Sequence, residues 1–217
     1  GMVMDVTGGS GWPYGGPHIP PEKAARSLKI ETIPVKAGTR SVKLPELQSH
    51  EHCLSAVMID PQDNEKLIDE LSFDSDGTPH FSGPYEQDLE LRLLISTTTG
   101  GKVQNAALGA EGPELDHYSA DALHCHLNAV SKPLVAAAGR RRLRAIFCDS
   151  LELKRPLWTP SMFAAFEQKR GYDLQPHLHA LFTGDSDTHR RIRHDYGQTL
   201  TEMFNENFLK PLQEFSH

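Results

Sequence analysis

The sequence predicts an α/β protein in which two short parallel strands alternate with helices and a β-rich segment interrupts them. Two apolar runs, residues 2–6 and 143–148, have the composition of buried central strands. Between them, residues 27–108 alternate apolar and polar side chains and are broken by Pro, Gly and Asp, which is typical of antiparallel strands. Two parallel strands cannot complete a sheet of this class, so we expect a partial domain.

The apolar period changes from two to 3.6 after residue 119, which predicts helices. Four are predicted, over residues 120–138, about 160–170, 174–182 and from 187 onward. Ser119 is the expected N-cap of the first helix, which Pro133 should kink or divide, and Thr159-Pro160 should open the second. The apolar stripe of the last helix predicts core packing. Residues 66–71 fit either a short helix or a strand.

Composition narrows the classes of function. The 217 residues include 22 Lys and Arg against 29 Asp and Glu, a formal net charge of −7. This balance does not favour a general nucleic-acid binder, which needs a basic face for phosphates. No apolar run approaches the length of a membrane span, so no membrane partner is expected. Cys53, Cys125 and Cys148 are too sparse for a disulfide framework or a CxxC metal site.

Two carboxylates follow the second predicted parallel strand. Asp149 and Glu152 stand just beyond its C-terminal end, where α/β barrel enzymes carry acids and bases. Cleavage of a glycosidic bond needs a carboxylic acid beside the leaving oxygen, so one of the two is a candidate general acid. The alternative is that both are solvated loop residues or that one caps a helix.

A glycine-rich loop follows the first predicted strand, over residues 8–17. Its glycines permit a close approach between backbone and ligand, and Trp12 and Tyr14 have flat faces that stack on sugars. Asp5, at the end of the strand, is a candidate acceptor for hydroxyl groups. The alternative is a loop whose aromatic side chains pack into the core.

Acidic and histidine residues crowd the entry to the first predicted helix, over residues 111–118. His117, Asp121 and His124 suggest a transition-metal site, although no tight ligand motif such as HExxH supports one. Trp158 lies six residues after Glu152 and either lines a pocket or packs against the start of the next helix.

These motifs together resemble glycoside hydrolase family 106, the α-L-rhamnosidase-like enzymes. The resemblance rests on MVMDVTGGSGWPYGGP, LGAEGPELDHYS, IFCDSLEL followed by Trp158-Thr159, FEQKRGYDLQPHLHAL and the run Arg193–Tyr196, in this order. It implies a (β/α)8 TIM-barrel catalytic domain with β-rich additions. Residues 2–26 and 109–217 would then be part of the barrel, and residues 27–108 an insert. It also implies inverting cleavage of terminal α-L-rhamnose from rhamnose-containing oligo- or polysaccharides, and calcium at the active site.

The resemblance implies roles for individual residues. Glu152 matches the glutamate at a strand end that is the candidate general acid, and Asp149 is its neighbour in the same motif. The residues expected near the sugar are Asp5, Trp12 and Tyr14 from the loop, Glu111 and Asp116 from the acidic motif, Asp149, and Trp158.

Members of the family are several times longer than this chain. We therefore expect an internal slice of such an enzyme, without the second catalytic carboxylate and with little or no activity by itself. Open sheet edges would favour self-association. The alternative function is a non-catalytic carbohydrate-binding or interaction module. Relatives are often exported, and residues 2–7 do not read as a signal peptide, so the sequence leaves the compartment undetermined.

Overall fold

The structure, a computed structural model, describes residues 4–75, 77–138, 143–148 and 157–216. Its strands are β1 (Met4–Thr7), β2 (Arg26–Val35), β3 (His52–Asp60), β4 (Asp63–Glu70), β5 (Leu89–Thr98), β6 (Leu143–Phe147) and β7 (Leu157–Trp158). Its α-helices are α1 (Ala120–His126), α2 (Lys132–Ala138), α3 (Met162–Arg170), α4 (Asp187–Phe204) and α5 (Lys210–Ser216). Short 3₁₀ helices cover Pro21–Lys23 and Gln175–Leu181.

The described residues form a mixed α/β protein with two sheets. β1 and β6 make a two-stranded sheet, and the other strands make a five-stranded sheet in the order β4-β3-β5-β2-β7. The chain divides into two compact units, one of residues 1–27, 98–159 and 200–217, the other of residues 28–97 and 160–199. The predicted division into a barrel region and an insert stays a prediction.

The first unit contains the predicted parallel pair. β1 and β6 run parallel, with Val6 opposite Ile146 and Thr7 opposite Phe147. This confirms that the two apolar runs are neighbouring parallel strands. Two strands do not close a barrel, so the (β/α)8 barrel also stays a prediction.

An apolar cluster forms the core of this unit. Tyr14, Leu115, Leu123 and Phe208 are fully buried in it, and Leu212 is nearly so. Phe208 and Leu212 belong to the apolar stripe of the last helix, so its predicted role in core packing is confirmed.

The second unit is built on antiparallel strands. β3 pairs with β4 on one side and with β5 on the other. Met58, Leu91 and Ile95 are buried in its core. The antiparallel strands predicted within residues 27–108 are therefore observed, and the segment 66–71, which fitted either element, belongs mostly to β4.

Local signals predicted some helix ends correctly and one incorrectly. Ser119 caps α1, because its hydroxyl oxygen accepts a hydrogen bond from the Ala122 amide. A π-helical turn, Leu127–Ser131, separates α1 from α2 and ends just before Pro133. The predicted division of this helix near Pro133 is therefore observed. The prediction that Thr159-Pro160 opens a helix is wrong: α3 begins at Met162, and the Thr159 hydroxyl donates to Asp116 instead.

No helix in the described residues combines the length and the apolarity that crossing a membrane requires.

Backbone segments approach closely at Gly112, which gives a test of the packing in the first unit. A Cβ there would overlap the backbone of Gly16 and Pro17. We expect Gly112→Ala to lower the free energy of unfolding by about 1–3 kcal/mol, the usual cost of overpacking. Gly197, within α4, has open space around its Cα. Gly197→Ala should raise the stability by up to about 1 kcal/mol, because alanine favours a helix. Chemical denaturation of both variants measures this, and equal effects would contradict the packing described.

Candidate functional site

The candidate site lies where β1 and β6 end. Because the strands are parallel and adjacent, the segments that follow them leave from the same edge of the sheet. The glycine-rich loop 8–17 follows β1, and Asp149 and Glu152 follow β6 in the sequence. Both carboxylates lie outside the described residues, so their predicted roles are not tested by the structure.

Asp5 pairs with an arginine on the neighbouring strand. Arg144 Nε donates to Asp5 Oδ1 at 2.8 Å, and the second guanidinium nitrogen of Arg144 bonds Asp5 Oδ2. These hydrogen bonds lower the pKa of Asp5. Its carboxylate is thus a negatively charged acceptor partly occupied by Arg144, and its predicted contact with sugar hydroxyls stays a prediction.

Two side chains hold the backbone at the start of the glycine-rich loop. The Gly8 carbonyl accepts hydrogen bonds from His126 Nε2, at 2.8 Å, and from Ser131 Oγ, at 2.9 Å. A carbonyl only accepts, so the hydrogen of neutral His126 is on Nε2 and its Nδ1 is an acceptor. His18 Nε2, 3.0 Å from that atom, is therefore the donor.

Burial keeps this histidine pair neutral. It lowers the pKa of His126 to about 4, and it also lowers the pKa of His18. The direction of the hydrogen bonds is consequently fixed at neutral pH, and with it the position of the loop backbone at Gly8.

The two aromatic residues of the loop have different surroundings. Tyr14 is fully buried, and its ring stacks on His126 with 4.9 Å between ring centroids. Trp12 is only partly buried, and its backbone bonds both the amide and the carbonyl of Gln104. The burial of Tyr14 favours the alternative of core packing, whereas Trp12 keeps an accessible surface.

Asp116 is buried and holds neighbouring segments together. Its Oδ1 accepts from the Tyr118 amide at 2.9 Å and its Oδ2 from the Thr159 hydroxyl at 2.7 Å. Burial raises its pKa to about 6, against the effects of these hydrogen bonds and of the Arg26 charge. Trp158, 2% exposed, lies opposite Arg26 where β7 pairs with β2. Both predicted sugar contacts are thus enclosed by protein.

Glu111 is exposed and lines a pocket of the first unit together with the buried Glu114. Glu114 belongs to the acidic stretch 111–118 but was not among the predicted site residues. His18, His126 and Ser131 were not among the predicted site residues either. Their partners are distant in the sequence, so no local pattern predicts these contacts.

The alternative transition-metal site is not supported. His117 is 1% exposed and packs against Phe208, whereas Asp121 and His124 are exposed on α1. Among the described residues, no three His, Cys, Asp or Glu side chains come together as metal ligands do. The described residues therefore contain no recognisable set of calcium ligands either. No chemical step is assigned to a metal.

The raised pKa of Asp116 predicts a specific pH dependence of stability. The pKa of Asp116 is about 6 in the folded state and about 3.9 in an unfolded chain. Between these values the folded state binds more protons, so this group lowers stability as pH rises. Asn keeps an acceptor for Tyr118 and does not titrate. We expect the stability of Asp116→Asn relative to the original chain to rise by up to about 3 kcal/mol between about pH 4 and pH 7.

Urea denaturation across this pH range measures the difference. Asp121→Asn is the matched control, because that carboxylate is exposed. Parallel stability curves for the original chain and Asp116→Asn would contradict the raised pKa.

Comparisons with known proteins agree with the resemblance. A family model described as alpha-L-rhamnosidase, glycoside hydrolase family 106, matches residues 47–217, which is more than half of the chain. A solved rhamnosidase from Novosphingobium sp. PP1Y is 28% identical with a TM-score of 0.53. The match covers 67% of this chain but only 15% of that chain. No curated protein matches. By the extent of the family match, the chain belongs to glycoside hydrolase family 106, the alpha-L-rhamnosidase family.

Proposed function

We propose that the protein containing this chain hydrolyses terminal α-L-rhamnosyl linkages of a glycan, with Glu152 as the general acid. The observation that supports this most directly is the parallel pairing of β1 with β6. Catalytic groups of parallel α/β enzymes follow the C-terminal ends of strands. Here the glycine-rich loop and the segment with Glu152 both follow such ends, on neighbouring strands.

The proposed reaction needs two carboxyl groups. Glu152 donates its proton to the glycosidic oxygen while the bond between that oxygen and the anomeric carbon breaks. A second carboxylate takes a proton from a water molecule, whose oxygen attacks the anomeric carbon from the opposite face. The products are a free alcohol and rhamnose of inverted configuration. In inverting enzymes the two groups are about 6.5–9.5 Å apart, which leaves room for the water.

The second carboxylate belongs, in this proposal, to a part of the protein outside these 217 residues. The matched rhamnosidase is much longer than this chain, and the match covers only 15% of the rhamnosidase. We therefore expect the 217-residue chain alone to have little or no activity. Calcium stays in the proposal only as an implication of the family resemblance.

The role of Glu152 is tested with Glu152→Gln in a full-length protein that contains this chain. Loss of a general acid should lower kcat about 10²–10⁴-fold on an alkyl α-L-rhamnoside. The loss should be much smaller with a nitrophenyl leaving group, which departs without a proton. Glu167→Gln, an exposed change on α3, is the control.

A rate unchanged by Glu152→Gln would exclude this residue as the acid. An equal loss on both substrates would exclude the acid role in particular. Nuclear magnetic resonance should detect rhamnose of inverted anomeric configuration as the first product. Retention of the anomeric configuration would contradict the inverting mechanism.

We also propose that the isolated chain self-associates through exposed apolar surface of its first unit. Parallel sheets are normally covered on both faces, yet Phe147 on β6 is 54% exposed. Val135, on α2, is 40% exposed. Burying such surface is favourable, so association should lower the free energy of the isolated chain.

Sedimentation equilibrium of the isolated chain tests the association. We expect an average mass that rises with concentration, and a weaker rise for Phe147→Glu. Leu47→Glu is the control, because Leu47 is exposed in a loop of the second unit. A constant monomer mass at every concentration would contradict the proposal.

A further inference from the structure

A pocket of the first unit is lined by both polar and apolar residues. Its volume is about 490 Å³, within the range of small-molecule sites. The apolar residues Ile19, Ala24 and Ala25 line it together with the segments 98–102 and 111–114. Concave sites of this composition bind ligands that have both an apolar face and polar groups.

Glu114 is the buried carboxyl residue of this pocket. The residue as a whole is only 4% exposed to solvent. The Thr99 hydroxyl donates to Glu114 Oε1 at 2.5 Å, and the same hydroxyl oxygen accepts from the Gly101 amide at 3.0 Å. The Glu114 amide also donates to the Gly101 carbonyl at 3.2 Å. The carboxylate is therefore held in one position by the turn that contains Gly101.

Because Gly101 has no side chain, the Glu114 carboxylate can occupy the space beside its Cα. A Cβ at this position would overlap the Glu114 carboxylate, including both of its oxygens. Any other residue at 101 would displace the side chain of Glu114. Backbone and side chain thus combine to hold a carboxylate in the pocket wall.

The acidic and basic side chains that line the pocket form no ion pairs with the described residues. Glu114 Oε2 receives no hydrogen bond from them, and Glu114 forms no ion pair with them. Lys102 and Glu111, which also line the pocket, form no ion pair with them either. An ionised carboxylate has about four acceptor positions. A ligand that supplies donors can bond to the acceptor positions that the described residues leave open, and hydrogen bonds to an ionised acceptor are stronger than neutral ones.

We propose that this pocket is a binding subsite for a neutral hydroxylated sugar ring. Glu114 and Glu111 accept hydrogen bonds from ring hydroxyl groups, and Lys102 donates to a hydroxyl oxygen. The C–H face of the ring packs on Ile19, Ala24 and Ala25. With two carboxylates and one lysine, the pocket disfavours an acidic sugar. This assignment builds on the proposed function, since it gives the glycan a second group of contacts in the same chain.

Binding to the 217-residue chain tests the subsite without any need for catalysis. The probes are methyl α-L-rhamnopyranoside and calcium chloride, each followed by amide chemical shifts. We expect the sugar to bind with millimolar affinity and to shift the amides of Gly100, Gly101 and Lys102. Glu114→Gln should weaken binding about tenfold or more, because a bond to a charged acceptor is replaced.

Glu111→Gln keeps the test valid if Glu114→Gln does not fold, because Glu111 is exposed. It should also weaken binding, whereas Glu167→Gln on α3 should not. Absence of sugar binding, or binding unchanged in both pocket variants, would overturn the proposal. Calcium that shifts the same amides while the sugar does not would also overturn it, in favour of a cation site. A failed subsite with an intact effect of Glu152→Gln would leave the proposed function standing.

Discussion

The parallel pairing of β1 with β6 is the constraint on which the candidate site depends. The backbone of Met4–Thr7 is hydrogen-bonded to that of Leu143–Phe147, although residues 28–97 of the second unit lie between them in the sequence. A parallel pair requires a long connection, and here that connection includes the antiparallel strands. The consequence is that two segments far apart in the chain begin at one edge of a sheet.

Hydrogen bonds to one carbonyl then hold the first of these loops. The Gly8 carbonyl receives both a histidine and a serine donor, and buried donors and acceptors of this kind are costly to leave unpaired. The ring of Tyr14 stacks on the same histidine and reaches the core beside Phe208. The loop is thus attached to the folded unit at its start and in its middle, which limits how far Trp12 can move.

The sequence predicted the elements better than the contacts between them. Ser119 was predictable because a helix cap is a local interaction between residues three apart. Thr159 has the same local signature, but its hydroxyl bonds Asp116, 43 residues away in the chain. A tertiary partner therefore replaced the capping interaction, and no local pattern contains that information.

The same distinction applies to the candidate site. The glycine-rich loop and the acidic stretch are visible in the sequence because unusual residues cluster there. The burial of Tyr14 and the bond between Thr99 and Glu114 depend on which segments meet in three dimensions. Asp149 and Glu152 lie outside the described residues, so the assignment of the acid still depends on sequence position and on family membership.

The most direct measurement is a crystal structure of the full-length protein with an uncleaved rhamnoside bound. The account predicts that a carboxyl oxygen of Glu152 lies within about 2.6–3.2 Å of the glycosidic oxygen, in reach for proton transfer. A Glu152 side chain that points into bulk water, away from the bound sugar, would contradict it.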